Sequence, residues 1–219
     1  MLAGVGAAEA LLRARLCSGR SDGPGQNGSM RLGIAHHLGW AVVVTASADH
    51  QVVDRRRIEL LEPGLPAAPI HHEGGAHAMH RSGDTLDDEA LERLVTEVRA
   101  SAIRATSAAL DGIAAAAAAP IVSMSVRSWP DDFPEDIAVK RRVPYESRAD
   151  SVMYCQVLAE LADERGWLVH FYSPKDIENE AARILGDRAD EVLRGPRATL
   201  GPPWAKDHRM ALAATIAVA

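Results

Sequence analysis

The sequence predicts an α/β domain on one mixed sheet. Three antiparallel strands come first, followed by helix, strand, helix, strand and helix, with helices on both faces. Three observations carry this expectation. Residues 31–60 contain three apolar or β-branched runs joined by turns too short for a crossover, so neighbouring runs must pair antiparallel. Residues 84–219 then alternate between three- and four-residue apolar spacing and short continuous apolar runs, as when helices return strands to a single sheet. A chain of 219 residues, 47% hydrophobic and 25% charged, is long enough for one sizeable core.

Taken in order, residues 1–29 precede the first strand. "MLAGVGAAEALLRARLC" has no basic leader and is interrupted by Glu9, Arg13 and Arg15, so it does not read as a secretory signal. "CSGRSDGPGQNGS" is rich in turn formers. Residues 1–29 are expected to be a disordered or mis-assigned extension, and Met30 to open a single domain over 30–219. Residues 31–35 and 40–47 are the first two strands, and "QVVDRRRIEL" the third, after a turn at Asp49 and His50. A loop rich in Pro, Gly and His fills 62–83. Asp84 and Thr85 offer caps for a helix whose inner face carries Leu91, Leu94, Val95, Val98, Ala102, Ala105, Ala109 and Ile113.

"PIVSMSV" is the fourth strand. "ADSVMYCQVLAELADERG" is a helix with Tyr154, Val157, Leu158 and Leu161 facing inward and Gly166 as its stop. "WLVHFY" is the fifth strand. "SPKDIENEAARILG" is a short helix with Ser173 as cap, Pro174 at its first position and Gly186 at its end. After an irregular "GPRATLGPPW", residues 207–218 form the last helix.

Composition limits the function classes. Aromatic content is 4%, and the formal charge of −6 argues against a surface that grips phosphates everywhere, while leaving room for a local basic groove. Cys17 and Cys155 lie far apart with no C-x-x-C partner, which fits a reducing cytoplasmic location. No run is long and apolar enough to span a bilayer, so no membrane partner is expected.

Three patterns, in order along residues 31–219, carry a family resemblance: "GIAHHLGWAV", "LVHFYSPKDIENEAARILG" and "KDHRMALAATIAVA". Together they resemble the ribonuclease H-like superfamily, and within it the RuvC-type Holliday-junction resolvases. The resemblance implies a ribonuclease H-like mixed sheet and a nuclease site in which four carboxylates hold two metal ions. This chain departs from that set. Ala35 stands in place of the first-strand aspartate, Ser123 and Ser125 occupy the strand where a glutamate is expected, and Met210 replaces the second aspartate of the last helix. Asp207 alone matches. Most of the catalytic acids are replaced, so the two-metal site cannot operate as such.

Other residues offer a remodelled site. His36 and His37 follow the first strand, and Asp207 and His208 open the last helix. His36 with Asp207 could hold one divalent metal, zinc, manganese or magnesium, or a histidine could act as a base without metal. The same residues equally make a polar turn and a helix cap. In the loop, His72, Glu73 and His77 are a second candidate ligand set, although no rigid helical frame spaces them. "KRRVPYESRADSVMY" sets Lys140, Arg141 and Arg142 beside Tyr145, Glu146, Arg148 and Asp150 at a helix entrance. That is an anion site or a self-neutralising surface, with Asp150 as helix cap. Arg127 and Lys206 extend the candidate nucleic-acid or anion-binding set. Arg55 and Arg57 share one strand face, where they line a groove or protect a sheet edge.

The expected function is a hydrolase acting on phosphodiesters. Its catalytic candidates are His36, His37, Glu146, Asp150, Asp207 and His208, with Arg148 and Lys206 stabilising charge. The alternative is a non-catalytic nucleic-acid-binding or assembly module. Nucleic acid and a second copy of the chain, as a homodimer, are the expected partners.

Overall fold

The structure, a computed structural model, describes residues 28–75 and 84–218. The expectation of an N-terminal extension falls almost wholly outside the described residues, as do His77 and its role as a ligand.

Strands β1 (Met30–His36), β2 (Trp40–Ser47) and β3 (Val52–Glu59) form the predicted meander. A π-type helical turn over Pro69–Gly74 breaks the long loop. Helix α1 (Asp88–Ala116) leads to β4 (Ile121–Arg127). A single turn, α2 (Ile137–Lys140), precedes α3 (Glu146–Glu164) and β5 (Leu168–Tyr172). Then come α4 (Ile177–Leu185), α5 (Ala189–Arg194), α6 (Pro196–Leu200) and α7 (Lys206–Ala217).

The five strands lie in the order β3-β2-β1-β4-β5. β1 pairs antiparallel with β2 and parallel with β4, and β5 continues parallel to β4. This is the mixed sheet expected from the sequence, three antiparallel strands extended by two parallel ones, with helices on both sides. Alternation along β1 divides its side chains between two cores. Leu32 and Ile34 join Val98, Ala102, Met153 and Leu158 of α1 and α3 on one face. Ala35, with Val42 and Val44 of β2, joins Ile177, Leu193, Met210, Leu212 and Ile216 on the other.

Several local expectations shift. The cap of α1 is Asp87, whose carboxylate accepts from the Ala90 amide at 2.8 Å, rather than Asp84 or Thr85. Its buried face includes Ser101 and Thr106 alongside the apolar residues. Ser101 is used: its Oγ donates to Glu62 at 3.0 Å and accepts from the Glu62 amide at 3.1 Å, fastening the start of the long loop. α4 begins at Ile177, after a turn in which Ile177 donates its amide to Ser173 at 3.2 Å. The stretch 195–204, read as irregular, instead contains α6; α5 precedes it, and the two are anchored where the Trp204 indole donates to the Leu193 carbonyl at 2.8 Å.

Gly33 positions the site. A Cβ there would lie 1.8 Å from the carbonyl oxygen of Ala211, so α7 rests its backbone directly on β1. No other residue permits that approach. Gly33→Ala should cost about 1–3 kcal/mol of unfolding free energy through forced overpacking. A urea midpoint equal to the wild type's would show that α7 does not press on β1.

Candidate functional site

The register of the sheet opens a crevice. β1 and β4 stay paired only as far as Gly33 and Ser125. Beyond that, β1 follows β2 to His36 opposite Ala41, while β4 follows β5 to Arg127 opposite Tyr172. The chain leaves these two parallel strands in opposite directions, which is where open α/β sheets bind ligands. The Tyr172 hydroxyl spans the gap and donates to the Ile34 carbonyl at 2.7 Å.

The two histidines separate at this point. His36 keeps the alternation of β1 and turns beneath α3, 1% exposed, with Nε2 3.0 Å from Ser151 Oγ and 3.5 Å from Cys155 Sγ. His37 turns toward α7 and meets Asp207, Nε2 to Oδ2 3.0 Å, with both side chains partly open to solvent. The expected pairing of His36 with Asp207 is therefore not formed: it is His37 that meets Asp207, because His36 faces α3 and bonds Ser151 there. His208 is turned inward against Trp204, and its Nδ1 accepts from the Ala205 amide at 3.2 Å, closing the first turn of α7.

The polar residues around the start of α3 serve a different purpose. Asp150 lies inside the helix, not at its cap, and its two oxygens accept from the amides of Ile70 and His71 at 3.0 and 2.9 Å. Glu146, 2% exposed, faces the same segment: a Cβ on Gly75 would come 2.5 Å from Glu146 Oε2. Arg141 Nε donates to the Gly74 carbonyl at 3.0 Å, and its other nitrogens reach the Leu86 carbonyl and Asp88. Glu146, Asp150 and Arg141 thus hold the 69–75 segment against α1 and α3. Lys140 and Arg142 flank that clamp, Tyr145 packs edge-on against Phe133, and Arg148 and Lys206 are exposed. Arg55 is likewise committed. Its guanidinium donates to the Leu200, Gly201, Pro202 and Pro203 carbonyls, tying the loop before α7 to β3.

Arg127 is different. It lies half-buried at the end of β4, its Nε has no hydrogen-bond partner, and no carboxylate pairs with it among the described residues. Other arginines are matched: Arg57 with Glu59, Arg99 with Glu160, Arg165 with Asp111, Arg209 with Glu178.

Burial, then the nearby charges of Arg127 and His37, lower the pKa of His36 to about 3, so its ring stays neutral across the physiological range. Burial pushes the Cys155 thiol up to about 12, which leaves it unreactive. Burial also raises Asp150 to about 6, against the pull of its two amide hydrogen bonds.

These donors do not suit the metal centre that the sequence resemblance implies. Ala35 and Met210 are packed in the second core, and Ser125 Oγ is spent on the Ala214 carbonyl at 3.0 Å. A cation, Arg127, projects from the strand expected to supply an acid. Among the described residues no three His, Cys, Asp or Glu side chains stand together as ligands for one ion.

No family model and no curated protein matches the chain. Among solved structures it is similar in fold to RuvC of Thermus thermophilus in complex with a Holliday junction substrate, at 12% identity over 86% of this chain and 91% of that one, with a TM-score of 0.45. It is similar also to the Thermus thermophilus RuvC structure at 13% identity over 86% and 92%, with a TM-score of 0.41. No helix among the described residues is long and apolar enough to cross a membrane.

Sequence reasoning had named the histidines, Asp207 and Arg127. It missed Ser151, Cys155, Tyr172 and Trp40 as their neighbours. The only signals were Tyr172 ending a strand beside β4 and Trp40 opening β2.

The two buried titrating groups oppose one another. Unfolded, His36 takes a proton near pH 6.5; folded, it resists down to about 3, so its stabilisation is full above 6.5 and lost as pH falls. Asp150, raised from 3.8 to about 6, adds stability as pH falls through that window. From pH 6 to 4 these contributions nearly cancel. His36→Gln, which can keep the Ser151 hydrogen bond but not the titration, should gain stability relative to wild type by roughly 1.4 kcal/mol per pH unit of acidification. Urea unfolding at pH 6, 5 and 4 measures this; a pH-independent difference would mean that His36 ionises in the folded chain.

Proposed function

We propose that this chain is a non-catalytic, nucleic-acid-binding ribonuclease H-like domain whose crevice between β1 and β4 takes a backbone phosphate on Arg127. The observation that carries this reading is the half-buried Arg127 with an unbonded Nε at the crevice mouth. A guanidinium removed from bulk water and left without a carboxylate is an anion receptor, and a phosphodiester matches its planar fork. Tyr172 and the neutral His36 line the same place without competing charge. Phosphate binding here needs no metal ion.

One observation favours a hydrolytic reading. The Asp207 carboxylate fixes the His37 ring, as a carboxylate orients a general base, and leaves Nδ1 for a water molecule. Against it, His37 and Asp207 have no third His, Cys, Asp or Glu side chain grouped with them among the described residues that could help hold a metal ion.

Fluorescence anisotropy with labelled oligonucleotides across a salt series tests the binding reading. Arg127→Gln should weaken binding ~10-fold irrespective of sequence and lower the log–log salt slope by roughly 0.7–0.9, the signature of one lost phosphate contact. The wild-type chain should leave the oligonucleotide intact with magnesium, manganese or chelator present. Equal affinity and slope in the variant would remove Arg127 from the interface. Cleavage that survives chelation and disappears in His37→Ala would install the hydrolytic reading instead.

A further inference from the structure

Beside the crevice, on the α7 face of the sheet, three flat groups lie together. The His37 imidazole stacks on the Trp40 indole with ring centres 4.1 Å apart and planes 10° from parallel. The Arg57 guanidinium carbon lies 4.2 Å from the centre of the same indole. His37 and Arg57 present 41% and 58% of their side chains to solvent.

His37 and Arg57 are each held by an edge. Asp207 bonds His37 at Nε2, and Glu59 accepts from Arg57 Nε at 3.2 Å. In-plane hydrogen bonds fix the orientation of His37 and Arg57 while leaving the face that each turns away from Trp40 available for stacking. The order is built before any ligand arrives, so little freedom is lost on binding. The same two carboxylates offset the positive charge locally, which makes the cluster a poor phosphate site and a good one for an uncharged aromatic plane.

We infer that His37, Trp40 and Arg57 form a stacking platform for the unpaired bases of a single-stranded nucleic acid. This rests on the reading of Arg127 as the phosphate receptor and specifies the ligand of that site. Tyr172, opposite Arg127 in the sheet, bonds the Ile34 carbonyl of β1, the strand that leads directly into His37, so the charged receptor and the platform border one locality. Backbone charge is drawn to Arg127 and the bases to the pile. A duplex offers no free base face except at its ends, so an unpaired strand is the preferred ligand.

Three probes test this at equal length: a short oligothymidylate, its abasic counterpart with the same phosphates, and a hairpin duplex. The wild-type chain should bind the oligothymidylate ~10-fold or more tighter than the abasic strand, as expected for stacking of a base on an aromatic platform. It should also prefer the oligothymidylate to the hairpin. Arg57→Gln, at an exposed position, and Trp40→Leu, which retains apolar bulk, should each bring the ratio of thymidylate to abasic affinity toward one. Arg127→Gln should weaken both strands together and preserve the ratio. Oligouridylate run in parallel identifies RNA or DNA as the tighter ligand, and either supports the platform if it exceeds the abasic strand.

Equal wild-type affinity for the thymidylate and abasic strands overturns the platform while leaving the phosphate reading intact. A ratio unchanged in Arg57→Gln and in folded Trp40→Leu does the same. Affinity for both strands unaffected by Arg127→Gln overturns the phosphate reading. Absence of binding to every probe overturns both.

Discussion

The contact on which the rest depends is between the backbone of α7 and the bare α-carbon of Gly33. With the Ala211 carbonyl where a side chain would otherwise stand, α7 lies so close to β1 that its first turn is brought beside the end of that strand. Asp207 reaches His37 because of this approach. Ser125, on the neighbouring strand, completes the seam by bonding the Ala214 carbonyl. A helix held away by ordinary side chains would leave Asp207 out of reach. The functional geometry is therefore set by packing before any charge is considered.

Strand alternation then decides what each histidine becomes. Adjacent in sequence, His36 and His37 differ in face, and with it in solvent, charge and partner. His36 is enclosed beneath α3 and held neutral. His37 is half open, clamped by a carboxylate and laid on an indole. A single-residue slip of β1 would exchange these roles, which is why the register fixed by β2 is as much a part of the site as the side chains themselves.

The elements most readable from the sequence were those with internal periodicity. The meander, the inner faces of α1 and α3, and the last helix follow from local spacing, and their order implies the sheet. Asp207 was also legible, because the family resemblance implies that the helix it opens packs beside β1. What remained hidden depends on contacts between distant segments. Asp150 reads as a cap in its own neighbourhood, yet it holds the amides of Ile70 and His71, nearly eighty residues earlier. Arg141 reads as part of a basic cluster and is spent on Gly74, Leu86 and Asp88. Arg55 resembles edge protection and instead fastens the loop before α7. In each case the charged group answers backbone groups or acids delivered by tertiary folding, and no local pattern announces them.

A cation where the resemblance leads one to expect acids changes what the crevice between β1 and β4 can hold. A carboxylate cluster attracts metal ions and uses them to meet a phosphate. A guanidinium meets the phosphate itself, but it cannot accept a proton and generates no nucleophile. On the reading proposed above, the crevice would have affinity for a phosphate without the means to break its bonds. In a chain of formal charge −6, that affinity cannot come from a diffuse positive field. It has to come from a desolvated local contact, aided by groups that are indifferent to net charge. Stacking on His37, Trp40 and Arg57 is an interaction of that kind, so the acidity of the whole chain and the arrangement at one end of its sheet favour the same ligand: one whose bases are exposed.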